Sequence, residues 1–262
     1  MGLTRRQRAR LGRTLAIALP AAVAAFVAVT ADWGHIQDAF FQPDVAADLF
    51  PRIVTVGVKN TLIITSMAFV GGLAIGVVLA LMRLSSIRPY RWLAAAYIEV
   101  FRGIPALVTL ILVGFAVPIA LGYRIPGRYG AAGAGLAIVA GAYMAETIRA
   151  GIQAVPKGQS EAARSLGMTP FRALVSIVIP QAFRIVIPPL TNELVLLLKD
   201  SSLVYVLGTT AETIELSKLG RDAVSKSFNG TPITVVAVLY LLITLPLTQI
   251  ASRLERRGAR SR

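Results

Sequence analysis

The chain has 262 residues, 55% of them hydrophobic and only 15% charged, with a formal net charge of +14. That balance excludes an ordinary soluble domain and makes the bilayer the natural solvent. With no cysteine and a single histidine, His35, the sequence has no disulfides, thiolate metal sites or cysteine nucleophiles, and it lacks the histidine set of an intramembrane metalloenzyme.

A spanning helix needs roughly 20 mostly apolar residues, because the hydrocarbon core is about 30 Å thick and a helix rises about 1.5 Å per residue. The first charge-free run covers 14–31 and follows Arg5, Arg6, Arg8, Arg10 and Arg13. A basic segment, an apolar stretch and Val29-Thr30-Ala31 also describe a cleavable secretory signal, although 15–30 is long for a signal core and favours a retained helix. Further runs cover 60–82, 103–123, 129–145 and 227–252. A sixth, 185–198, holds Glu193 and continues past Lys199 and Asp200 into an apolar stretch, so it carries polar residues at depth. The expectation is an all-α, polytopic bundle of about six transmembrane helices.

Basic residues alternate in density between connecting segments. Arg83, Arg88, Arg91 and Arg102 follow the second run, Arg149, Lys157, Arg164, Arg172 and Arg184 the fourth, and Arg253, Arg256, Arg257, Arg260 and Arg262 end the chain. With alternating spans all of these lie on one side, the positive-inside pattern, which places both termini in the cytoplasm and 32–52, 124–128 and 199–226 outside. The excess charge thus reflects topology and contact with membrane lipid, not nucleic acid. The organisation expected is an N-terminal basic segment with an extra helix and outward loop (1–52), one membrane domain (53–257) and a tail (258–262). No Gly-x-x-x-x-Gly-Lys-Ser/Thr loop occurs, so nucleotide chemistry has to come from another chain. Gly72 and Gly76 form a small-xxx-small pair, suited to close helix packing within the bundle or at a dimer seam.

Residues 151–180, on the cytoplasmic side, read as helix, break, helix. Pro156 suits a first turn, Gly167 a left-handed helix stop, Thr169 an N-cap and Pro170 the first position of the next helix. The pattern Glu161-Ala162-Ala163, three residues, Gly167, nine residues, Ile177, one residue, Ile179-Pro180 resembles the EAA motif of ABC importer permeases, with Ile179 where leucine is more common. YIEVFRGIPALV (97–108), AYMAETIRAGIQAVPK (142–157) and PQAFRIVIPPLTNELVLLLKDSSLVYVL (180–207) look like segments of permeases for polar amino acids, a likeness running from about residue 60 to 257. The resemblance implies the type I ABC importer transmembrane fold, with 156–172 as a coupling helix docked on a cytoplasmic ATPase dimer. It also implies an extracytoplasmic amino-acid-binding protein, a bacterial inner-membrane location, a second permease subunit (self or similar), no cofactor and no chemistry of the chain's own. The extra N-terminal helix departs from the family's usual five spans.

Ionisable residues inside spans are costly and mark pairs or pathways. Glu99 and Arg102, and Glu146 and Arg149, are each three apart on one helical face, suited to self-compensating pairs or, for the second, to transmitting loop motion. Asn192, Glu193, Lys199, Asp200, Ser201 and Ser202 follow Pro188-Pro189, which free backbone groups to line a polar cavity. At helical rise Glu193 lies about 14 Å and Lys199 about 22 Å beyond Arg184, at mid-membrane and towards the outside. These six are the candidate substrate path, with interhelical hydrogen bonding as the plainer alternative. Cargo other than an amino acid, or an ATP-independent channel or secondary transporter, stay as alternatives; convincing inverted repeats are not found.

Overall fold

The computed structural model describes residues 5–260. Residues 1–4 of the expected basic segment and 261–262 of the expected tail lie outside them. Helices follow one another along the whole described chain: α1 Arg5–Thr30, α2 Trp33–Phe40, α3 Pro43–Ala47, α4 Ile53–Leu84, α5 Arg88–Gly103, α6 Ala106–Leu121, α7 Gly130–Gln153, α8 Lys157–Ser165, α9 Pro170–Leu207, α10 Leu216–Ser227 and α11 Thr231–Arg260. By length and apolarity α4, α7, α9 and α11 each suffice to cross a membrane. Two bent pairs bring the number to six if each counts as one span: α1 with α2–α3, bent by 83°, and α5 with α6, bent by 108°.

Three expectations change in detail. The fifth span, expected from 185 and continuing past Lys199 and Asp200, starts earlier than expected. It belongs to a 38-residue helix that begins at Pro170 in the 151–180 loop and runs to Leu207. Residues 32–52 are folded rather than loop, and Asp32 caps α2 by accepting from the His35 N–H at 2.9 Å, which leaves the lone histidine in a structural place. The segment after the second span is itself the helix α5, and its break at Ile104-Pro105 comes where proline cannot donate to the helix ladder.

The core is the seam between α4 and α7, which run side by side in the same direction. A Cβ added at Gly72 would lie 2.8 Å from the Ala140 Cβ, and one at Gly76 would lie 2.9 Å from the Met144 Cβ and 3.1 Å from the Ala145 nitrogen. The small-xxx-small pair therefore packs within the bundle, where close backbone approach replaces the missing hydrophobic drive. Around this seam Ile64, Leu110, Leu136, Met144, Leu190 and Leu197 form one apolar cluster.

At the end of the bundle away from the 151–180 loop, buried Asn60 ties three elements together. Its Nδ2 donates to the carbonyls of Glu212 and Ile214, each at 2.8 Å, and its Oδ1 accepts from the Tyr129 hydroxyl at 2.7 Å. The Leu216 N–H donates to the Thr61 hydroxyl at 3.1 Å. The N-terminal segment docks on the turn between α10 and α11, where Asn229 donates to the Asp38 carbonyl and the Gly230 N–H to the Ala39 carbonyl, both at 2.7 Å.

Glu215 caps α10, accepting from the Ser217 and Lys218 N–H groups at 2.6 Å each. It is fully buried, and burial pushes its carboxyl up to about 7 despite those hydrogen bonds. A raised carboxyl loses its proton later in the folded than in the unfolded chain. The resulting penalty is absent below the unfolded value near 4.5 and complete above about 7. Thermal stability in detergent is expected to fall as pH rises through that window, by on the order of 3 kcal/mol, and to stay flat there in Glu215→Gln. A wild-type melting temperature constant from pH 4.5 to 7 would refute this.

Candidate functional site

Two places gather the residues singled out in the sequence. The first is the 151–180 loop. Helix α8 ends in a Schellman motif: the Met168 N–H donates to the Ala163 carbonyl at 3.2 Å and the Gly167 N–H to the Arg164 carbonyl at 2.9 Å, with Gly167 at φ +85°. Helix α9 then starts with the Thr169 hydroxyl accepting from the Arg172 N–H at 3.3 Å and Pro170 in the first turn. Ala163 is buried against the stem of α9, whereas Glu161 and Ala162 are exposed. Gln181 donates to the Gln159 side chain at 3.4 Å, holding the finger to its base. Pro180 lies two residues after the end of a π-helical turn, Leu174–Val178, a form in which helices absorb such an interruption. The tip presents two large apolar side chains to the outside, Leu166 at 82% and Phe171 at 75% exposure. Exposed apolar groups of that size on a rigid turn suit a docking contact.

The second place is a cavity of about 430 Å³ beside α7, where the break between α5 and α6 faces α9. Its polar lining is Arg102, Tyr143, Glu193 and Asp200. The broken helix is what opens it, since Gly103, Ile104 and Pro105 leave the wall at this level without a regular helical turn. Neither acid has an ion-pair partner within 4 Å among the described residues. The volume lies within the usual range for small-molecule sites, and a few convergent polar groups on an apolar wall are their usual chemistry.

Of the six candidate path residues, the structure brings only Glu193 and Asp200 to this cavity. They are seven residues apart, two helical turns, and so share a face. Asn192 and Lys199 are also seven apart but rotated by one residue, and both point out of the described bundle. Ser201 is buried with its hydroxyl donating to the Leu198 carbonyl at 2.7 Å, a helix-end role, and Ser202 does not line the cavity.

The expected pairs divide as well. Glu146 and Arg149 form an ion pair at 2.6 Å, which Arg83 of α4 approaches to 3.9 Å and which Arg149 extends to Gln153 at 2.7 Å. Glu99 and Arg102 do not pair. Both are exposed, and the Arg102 guanidinium lies 5.5 Å from the centre of the Tyr143 ring, where the negative face of the ring attracts it. Sequence reasoning thus missed Arg102 and Tyr143 as cavity residues. The available signal was Gly103-Ile104-Pro105, which breaks the helix just after Arg102 and turns its end towards the bundle.

The profile of the family "Binding-protein-dependent transport system inner membrane component" matches residues 72–260. The probable glutamine ABC transporter permease protein GlnM of Bacillus subtilis (strain 168) is 39% identical over 205 residues, covering 78% of this chain and 93% of that one. The arginine transport system permease protein ArtQ of the same organism is 36% identical over 202 residues, covering 77% and 90%. A crystal structure of an amino acid ABC transporter with histidines superposes with a TM-score of 0.72 at 39% identity, covering 81% of this chain and 96% of that one.

Proposed function

The chain belongs to the family of binding-protein-dependent transport system inner membrane components, as a multi-pass permease subunit of an ABC importer, and on that premise we propose that it carries a polar amino acid through the cavity that holds Glu193 and Asp200. Its own residues break and form no covalent bonds. The observation that carries the reading is the cavity between the α5–α6 break and α9, with two carboxyl groups, one guanidinium and Tyr143 on an otherwise apolar wall. That set complements an amino-acid zwitterion. Arg102 takes the α-carboxylate, one acid takes the α-ammonium, and the second acid remains for a polar or cationic side chain.

Energy enters at the α8–α9 finger. Two ATPase subunits closing on ATP would move the finger of this chain and that of a second permease subunit, identical or similar. Because α9 continues from the finger through its π-helical turn and Pro180, Pro188 and Pro189 to Leu207, it joins the docking tip to Glu193 and Asp200 along one helical element. The Arg83–Glu146–Arg149 contact ties the inner ends of α4 and α7 beside the finger's root, so those helices follow. An extracytoplasmic binding protein delivers the cargo to the other face. The arginine-rich segments on one side support cytoplasmic termini.

The test is co-expression with candidate ATPase and binding-protein partners, purification in detergent and reconstitution into proteoliposomes. Stoichiometric recovery of an ATPase, and ATP-dependent uptake of radiolabelled glutamine, arginine or glutamate, are expected. A well-folded chain that recovers no ATPase from any candidate would overturn the reading.

A further inference from the structure

A second cavity, of about 400 Å³, lies one helical turn nearer the outer end on both walls. It is lined by Ala132 on α7, four residues before Leu136 of the deeper cavity, and by Val204 on α9, four residues after Asp200. Between the two, Leu110, Leu136 and Val204 are buried in a single apolar cluster, so the cavities are stacked but closed off from each other. Their net charges are opposite. The deeper one holds two acids and Arg102, whereas the outer one is lined by Arg124 and Arg128, with the Tyr129, Thr209 and Thr213 side chains beside them.

Arg124 makes no ion pair among the described residues, and Arg128 is held at 2.5 Å by Glu212 of the 208–215 segment that roofs the cavity. In the proposed orientation these two guanidiniums stand on the outer side, against the concentration of basic residues on the inner one, so topology does not account for them. A concave, partly apolar site raises the local concentration of ions opposite in sign to its lining.

We infer that the outer cavity is a first station for the cargo, one that binds its α-carboxylate between Arg124 and Arg128 before the leucine layer admits it to the acidic station below. This rests on the reading of the chain as an amino-acid permease. A carboxylate arriving there takes the place of Glu212 on Arg128 and loosens the bridge that ties the roof to the start of α7. Arrival of cargo and loosening of the outer closure are then a single event.

The absence of cysteine allows a single thiol to report from the cavity. In the assembled importer, Thr209→Cys is labelled in parallel with the anionic 2-sulfonatoethyl and the cationic 2-trimethylammonioethyl methanethiosulfonates. With each rate taken relative to that reagent's rate with a free thiol in solution, the anionic reagent is expected to react about tenfold faster. Adding Arg124→Gln brings the two rates close together, Arg124→Lys keeps the difference, and Glu212→Gln widens it by freeing Arg128. Millimolar L-arginine or L-glutamine slows labelling, and their decarboxylated counterparts agmatine and 4-aminobutanamide do not.

Equal rates for the two reagents, or a preference untouched by Arg124→Gln, overturn the proposal. So does protection that ignores the carboxylate, or protection by the cargo-free binding protein alone, which would assign the site to a protein side chain. Any of these with ATPase recovery intact removes the outer station and leaves the permease reading standing. Loss of ATPase recovery is the separate failure of that reading.

Discussion

In a Gly167→Val permease, recovery of the ATPase is expected to collapse and uptake to fall to background, with the bundle melting as in wild type. Gly167 sits at φ +85°, where a β-branched residue is a steric outlier at a cost of roughly 1–3 kcal/mol. A Cβ there meets nothing within 4 Å, so the penalty comes from backbone conformation and not from crowding. The chain relieves it by giving up the Schellman hydrogen bonds to Ala163 and Arg164, which aim α8 away from α9 and set where Leu166 and Phe171 stand. A docking tip displaced by a few ångströms no longer fits a preformed groove, whereas the spans remain packed around the distant α4–α7 seam. Gly167→Asn, which adopts left-handed backbone far more readily, should keep much of the binding. The comparison is made by pull-down stoichiometry and ATP-dependent uptake on matched proteins. Undiminished ATPase recovery with the valine variant would show that the turn does not set the docking geometry.

Glu193→Gln and Asp200→Asn are expected each to lower uptake by about 10- to 100-fold, the size of one lost charge-assisted hydrogen bond. ATPase recovery and basal ATP hydrolysis should be unchanged. Both acids line one cavity with Arg102, so removing either takes away a partner of the cargo without touching the finger. Asn192→Ala and Lys199→Ala are the internal controls. They lie on the same helix at the same depths but on another face, and should leave cargo handling within that cavity largely intact. An uptake profile in which Asn192 and Lys199 matter and the two acids do not would move the path out of the subunit and onto its outer face.

The helical class, the membrane and the finger were legible in the sequence because each follows from terms acting over a few residues. Apolar runs report the solvent directly. Gly167, Thr169 and Pro170 are each demanded by the backbone conformation at their own position, and the structure places the turn, the cap and the helix start there. The i,i+3 pair Glu146–Arg149 formed for the same reason, since both groups stand on one unbroken helix.

Other features depended on where helices lie relative to one another. Spacing put Glu193 with Asp200 on one face of α9 and Asn192 with Lys199 on the next, but nothing local says which face meets α7. Arg102 stood correctly spaced for Glu99, yet the break at Pro105 turned it to Tyr143, a partner 41 residues away. Nor could composition show that Asn60 is satisfied by carbonyls more than 150 residues distant. The sequence by itself determined the helical class, the bilayer as solvent and the Gly167 turn, because hydropathy and backbone preference are local energies. Only the tertiary structure decided which polar groups share a cavity and which face outward, because that choice is made by the rotation and crossing of whole helices as they bury their small-residue seams.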